Sequence, residues 1–141
     1  MRTLTQLLLL AALAPLLGAC DTGTGPDSGG PDLTGTWTGT FGASTTVRMV
    51  LRQSGNDVSG DFTAGSTTQS LTGTLDPATG VFSWGTAADP NTCVSWGSSG
   101  LQLAEQASAL SGVARRAQTS QPCGSGRVSV SQGTMSLSRA F

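Results

Sequence analysis

Histidine, tyrosine and lysine are absent from this 141-residue chain, and glutamate occurs once, at Glu105. Without histidine there is no usual base for proton transfer near neutral pH, or for activating a serine or cysteine nucleophile. The other carboxylates are aspartates. Asp57, Asp76 and Asp89 fall in turn signals, where such a side chain caps its own backbone, and Asp61 alternates outward. No pair of carboxylates gathers on one face, and no spacing describes a metal site. Thr22-Gly23-Thr24-Gly25 lacks the strand before and the helix after that a phosphate loop needs. These gaps describe a protein that is not an enzyme and has no cofactor.

Charge is also scarce, at 11% of residues. Beyond the first 19 residues stand six arginines and eight acidic side chains, a net charge of −2. That balance gives no electrostatic case for binding nucleic acid or for a basic membrane-binding surface. Long apolar runs are missing except for Leu7 to Leu17, a stretch of Leu and Ala interrupted by Pro15. It is shorter than the roughly 20 residues a permanent membrane helix needs.

That run follows the positive start Met1-Arg2 and ends in Leu17-Gly18-Ala19-Cys20. Positive start, apolar core, small residues and cysteine in this order resemble the lipobox of bacterial lipoproteins. The resemblance implies a signal peptide over 1–19, lipid attachment at Cys20, and a place in the bacterial cell envelope. The chain would then be anchored to the periplasmic or surface face of a membrane by acyl chains, each stabilising by about 0.8 kcal/mol per buried CH₂. Which membrane stays open, because Asp21 resembles an inner-membrane retention signal only in enteric bacteria. An ordinary signal peptide with an incidental cysteine is the other reading. Residues 20–32 then form a lipidated tether. Asp21 to Asp32 carries no large apolar side chain, cannot bury enough surface to fold, and has an r.m.s. reach of about 20 Å.

Residues 33–141 are enough for one domain with a single core. A short pattern recurs at Leu33-Thr-Gly-Thr-Trp37, Val58-Ser-Gly-Asp-Phe62, Leu71-Thr-Gly-Thr-Leu75 and Leu110-Ser-Gly-Val-Ala114. Its starts lie near multiples of about 13 residues, the length of a strand plus a tight turn, so the domain holds about eight such units. Leu33, Gly35, Trp37, Gly39 and Phe41 share one face of the first. Val47, Met49 and Leu51 share one face of the second; Val58, Gly60, Phe62 and Ala64 follow, then Leu71, Gly73 and Leu75. The fifth runs from Val81 to Gly85, with Phe82 and Trp84 on one face. Thr86 to Ser99 reads as a long loop with a brief extended piece at Val94–Trp96. Leu101, Leu103 and Glu105 mark a sixth strand, and Leu110, Gly112 and Ala114 a seventh. A helix over 101–116 competes there, since Ala, Leu, Gln and Glu are good helix formers. Gly124–Gly126 reads as loop, and Met135, Leu137, Arg139 and Phe141 as a last strand. Arg48, Arg52 and Arg115 point outward, and Arg116 falls at a strand end.

Glycine inside a strand marks sharp coiling or close approach, as small closed barrels require. The expected fold is therefore all-β: an eight-stranded antiparallel up-and-down barrel. A β-sandwich is the alternative. With Cys20 taken by lipid, Cys93 and Cys123 are the expected disulfide, since exported domains live where disulfides persist.

Gly35-Thr36-Trp37 at the start and Arg139 near the end resemble the calycins, the lipocalins and their relatives. In that family a GxW on the first strand packs beside an arginine from the final strand, which implies that Trp37 and Arg139 close one end of a lipocalin-like barrel. The residues do not select a single function. A non-catalytic binding module for a small hydrophobic or lipid-like ligand would line its cavity with Phe41, Met49, Phe62, Leu71, Trp84 and Leu103; otherwise those side chains simply fill the core. The alternative is a protein-interaction or inhibitor domain, of the lysozyme- or protease-inhibitor kind, acting through 86–99 and 118–127. The expected partners are the membrane through the N-terminal lipid, with a small hydrophobic ligand or an envelope protein, and the domain itself a monomer.

Overall fold

In a computed structural model of the chain, residues 30–141 are described, and all of their regular structure is strand. The strands are β1 (Gly35–Phe41), β2 (Thr45–Ser54), β3 (Asp57–Ala64), β4 (Thr67–Asp76), β5 (Val81–Thr86), β6 (Val94–Leu103), β7 (Ala109–Ser120) and β8 (Ser125–Ala140). Each pairs antiparallel with the next, and β8 returns to β1, so the sheet closes into an up-and-down barrel. A sandwich of the same strands would leave edges that this closure removes. The signal segment and Cys20 lie outside the described residues, as does most of the tether.

Alternation in the first five units carries into the structure. Trp37, Met49, Leu51, Val58, Phe62, Leu71, Leu75 and Phe82 are all buried in one continuous core. Glycine opens room where strands cross most closely. A Cβ at Gly60 would lie 1.9 Å from the carbonyl oxygen of Val50, so only glycine fits there. Gly55, at φ +61°, turns the two-residue link between β2 and β3.

The second half departs from the sequence reading. No helix forms over 101–116; the segment is the end of β6, a turn, and most of β7. The long loop assigned to 86–99 shrinks to residues 87–93, because β6 begins at Val94. The reason is a register shift between Gly97 and Gly100. Val94, Trp96 and Ser98 point inward before it, Leu101 and Leu103 after it, so the apolar period breaks in mid-strand. The segment 118–127 is likewise mostly strand: β7 runs to Ser120 and β8 starts at Ser125, which places Gly126 in a strand rather than a loop. Glu105 sits in the exposed β6–β7 turn, not in a strand. Cys93 and Cys123 form the disulfide, which ties the β5–β6 loop to the β7–β8 turn.

Candidate functional site: the barrel mouth

The two ends of the barrel are built differently. At the end where the chain enters, Trp37 stands directly opposite Arg139 in the β1–β8 register, and the guanidinium lies 4.9 Å from the indole centroid. Trp37 Nε1 donates to the Leu33 carbonyl at 2.8 Å, and Arg139 donates to the backbone oxygen of Asp32. Leu33 N in turn donates to Gln53 Oε1. Together these groups shut that end. A hollow of about 780 Å³ lies outside it, between the β4–β5 and β6–β7 turns. Its Gln102 amide is already engaged with the Thr79 carbonyl, and Glu105 is the one charged residue in its lining.

Midway along the axis the interior is filled by aromatic rings. Phe62 packs on Trp84 at 4.9 Å and on Trp96 at 5.2 Å, and Phe41 meets Trp96 edge-on at 5.1 Å. Phe41, Met49, Phe62, Leu71, Trp84 and Leu103 are all buried in this one core. They pack against each other rather than around a void, since rings at 5 Å leave no room for a lipid chain.

Above the rings, at the opposite end, the mouth holds a recess of about 250 Å³. Its lining is Ala64, Thr67, Gln69, Thr92, Val94, Trp96, Arg116 and Gln118. Trp96 forms an apolar floor. Gln69, only 8% exposed, donates from Nε2 to the carbonyls of Ala87 and Val94 at 3.0 and 2.8 Å, so its Oε1 remains as an acceptor. Arg116, half-buried, holds its guanidinium 6.0 Å from the Trp96 ring and donates to Gln118 Oε1 at 2.9 Å. Four of its five N–H donors are thus available to a ligand. The recess contains no acidic side chain. The carboxylate nearest in sequence is Asp89, whose Oδ1 accepts from the backbone N–H groups of Thr92 and Asn91. Those bonds hold its pKa below the ordinary carboxylate value and occupy the group in its own loop.

Arg116 is the main displacement from the sequence reading, which placed it at a strand end; it lies within β7 and faces the mouth. The signal was there to be read: Leu110, Gly112 and Ala114 face inward, and the same alternation continues to Arg116 and Gln118. Gln69 follows likewise from Leu71, Gly73 and Leu75. Arg48, Arg52 and Arg115 are exposed on the outer surface. Among the described residues no three His, Cys, Asp or Glu side chains stand together as a metal site.

A closed eight-stranded barrel, plugged at one end and recessed at the other, is similar to the barrels of the avidins. The chain aligns with the structure of a rhizavidin–biotin complex at TM-score 0.55 and 13% identity, covering 76% of this chain and 99% of that one. Xenavidin matches at TM-score 0.52 and 15% identity, covering 79% and 99%. Intact apo afifavidin matches at TM-score 0.50 and 19% identity, covering 79% and 85%. The likeness is one of fold. No protein-family model and no curated protein sequence matches the chain.

Proposed function

We propose that this protein is a non-catalytic binding module whose barrel mouth takes a small carboxylate-bearing ligand. One observation carries the reading: Arg116 stands half-buried over the Trp96 floor, in a recess with no acidic side chain. A guanidinium presents a planar fork matched to carboxylate oxygens, and its charge-assisted bonds are worth about 1.5–3 kcal/mol. Trp96, nearly buried, gives the recess an apolar border, and Gln69 Oε1 is an acceptor for an N–H. The filled interior keeps the ligand at the mouth instead of along the axis. This supports a shallow seat and argues against a long acyl chain.

Biotin is the first probe, because the rhizavidin barrel is solved with it and it bears a carboxylate. Calorimetric titration of biotin and of its methyl ester should show the acid binding at least tenfold more tightly. Arg116→Gln should remove that difference. If neither biotin nor a panel of small carboxylates binds, the reading fails. A fatty acid bound more tightly than any of these would restore the deep-cavity alternative.

The lipobox supports a second element of the proposal, a lipid anchor at Cys20 that holds the domain at an envelope membrane behind a tether over 20–32. Mass spectrometry of detergent-extracted protein should show acyl mass on the N-terminal cysteine peptide. Cys20→Ser should release the domain. The inhibitor alternative finds strands where it assumed loops, and what is left to it is the disulfide-clamped rim of residues 87–93 and 121–124.

A further inference from the structure

The last hairpin of the barrel outruns its neighbours. β8 begins at Ser125, yet its pairing with β1 covers only Met135 to Ala140, followed by one bond from Gly42 N to the Thr134 carbonyl. On its other side β8 follows β7 as far as Ser129 opposite Gln118, then resumes at Ser125 opposite Ser120. From Arg127 to Gly133, therefore, one edge of β8 has no partner among the described residues.

Which backbone groups lie on that edge follows from alternation. Thr134 turns its carbonyl to β1, and Arg139 turns its N–H the other way, to Ser108. Even-numbered residues of β8 thus face the β1 side. Val128, Val130 and Gln132 continue the series and present N–H and C=O groups at the open edge. Their side chains stand on the outer surface, where Val128 is 60% and Val130 55% exposed. Open edges are normally blunted by lysine, proline or inward charge. Between Val128 and Gly133 this one has none of these; its single charge, Arg127, alternates inward at the start of the stretch, beside the register shift against β7.

We propose that the free edge of β8 pairs antiparallel with the same edge of a second copy of this chain, about a two-fold axis at Val130. A row of alternating donors and acceptors is complemented by another extended strand, and an antiparallel strand related by a two-fold reproduces its own pattern. The axis falls at the midpoint of the unpaired stretch. That register sets Val130 opposite Val130, Val128 opposite Gln132, and Arg127 opposite Gly133. No like charges meet, and the exposed valines of both copies join one surface. A second copy also supports a ribbon that two strands alone would leave marginal.

Val130→Cys tests the axis, since a hydrogen-bonded antiparallel pair has Cα atoms about 5.5 Å apart, within disulfide range. The full chain is oxidised mildly in detergent beside the unsubstituted chain and Val113→Cys, an equally exposed residue of β7 away from the edge. The expected result is a covalent dimer for Val130→Cys at least tenfold above both controls. Equal cross-linking of Val113→Cys, no cross-linking at Val130, or capture of a different protein would each overturn the proposal. In Val130→Pro the lost N–H faces the open edge and the β7 ladder is spared. Sedimentation should show this variant as a monomer with its thermal unfolding within a few degrees of the parent. A dimer that survives the proline would overturn the proposal as well.

Discussion

At the scale of single residues, the barrel depends on where side chains have no room or no substitute. Gly60 faces the Val50 carbonyl so closely that a methyl group forces the two strands apart. Gly60→Ala should therefore destabilise by about 2–3 kcal/mol, the upper range for overpacking, which chemical denaturation can measure. The tryptophans separate by their partners. Trp37 gives its N–H to Leu33 and its ring face to Arg139, whereas Trp84 Nε1 is buried with no hydrogen-bond partner among the described residues. Trp37→Phe should thus cost about 1–2 kcal/mol more than Trp84→Phe, which removes a polar group that burial had already penalised. The carboxylates make stability depend on pH only in the acid range. Asp76 accepts from Thr79 Oγ1 and Ala78 N, Asp32 from Thr34, and Asp89 from Thr92 and Asn91; each is held below the ordinary 3.8. With the folded pKa depressed, the unfolded chain binds more protons near pH 4, so stability rises with pH through that range and is lost as pH falls. The urea midpoint should be flat between pH 5 and 8, where no histidine titrates, and drop below about pH 4.

Among the elements, the disulfide and the long hairpin belong together. Cys93 sits at φ +54° just before β6, and its bridge spans 30 residues to the β7–β8 turn. Closing such a loop stabilises by about 3–4 kcal/mol in the chain-entropy model. Replacing both cysteines by serine should lower the unfolding free energy from a denaturant titration by that amount. Hydrogen exchange should rise first at 94–97 and 115–120, the strand ends facing the mouth. Strands β1 to β5 were legible in the sequence where every second residue is apolar or glycine and the unit ends in a turn signal; the first residues of β4, with Gln69 facing inward, lack that mark. The ends of β6, β7 and β8 were not legible. A register shift at Gly97–Gly100 interrupts one period, and residues 118–133 stand beyond the rim, where burial places no demand on composition. There the pairing of neighbouring strands, rather than an apolar stripe, makes the strand.

For the whole molecule, closure and filling are the decisive properties. β1 relies on β8 for one entire edge, so deleting residues 135–141 should abolish cooperative unfolding and leave a chain that binds a hydrophobic dye. Trp96→Ala should open the aromatic layer below the mouth. The variant should then take up a small apolar probe that the parent excludes, read by calorimetry or by a bound molecule in a crystal. Apolar uptake by the parent to the same extent would contradict a filled interior.

The sequence by itself determined which side of the first five strands faces inward, where most turns fall and which cysteines pair. A period of two and a handful of Gly, Pro and Asp signals act over a few residues, so they need no knowledge of the fold. Tertiary structure decided between the expected eight-stranded barrel and the sandwich alternative, and showed that the rings of Phe41, Phe62, Trp84 and Trp96 fill the middle. It also brought Arg116, Gln69 and Trp96 together at the mouth. Alternation states a face and not a partner: β1 meets β8 across about a hundred residues of chain, and a side chain facing inward at the rim meets core, ligand or water according to what the other strands bring there.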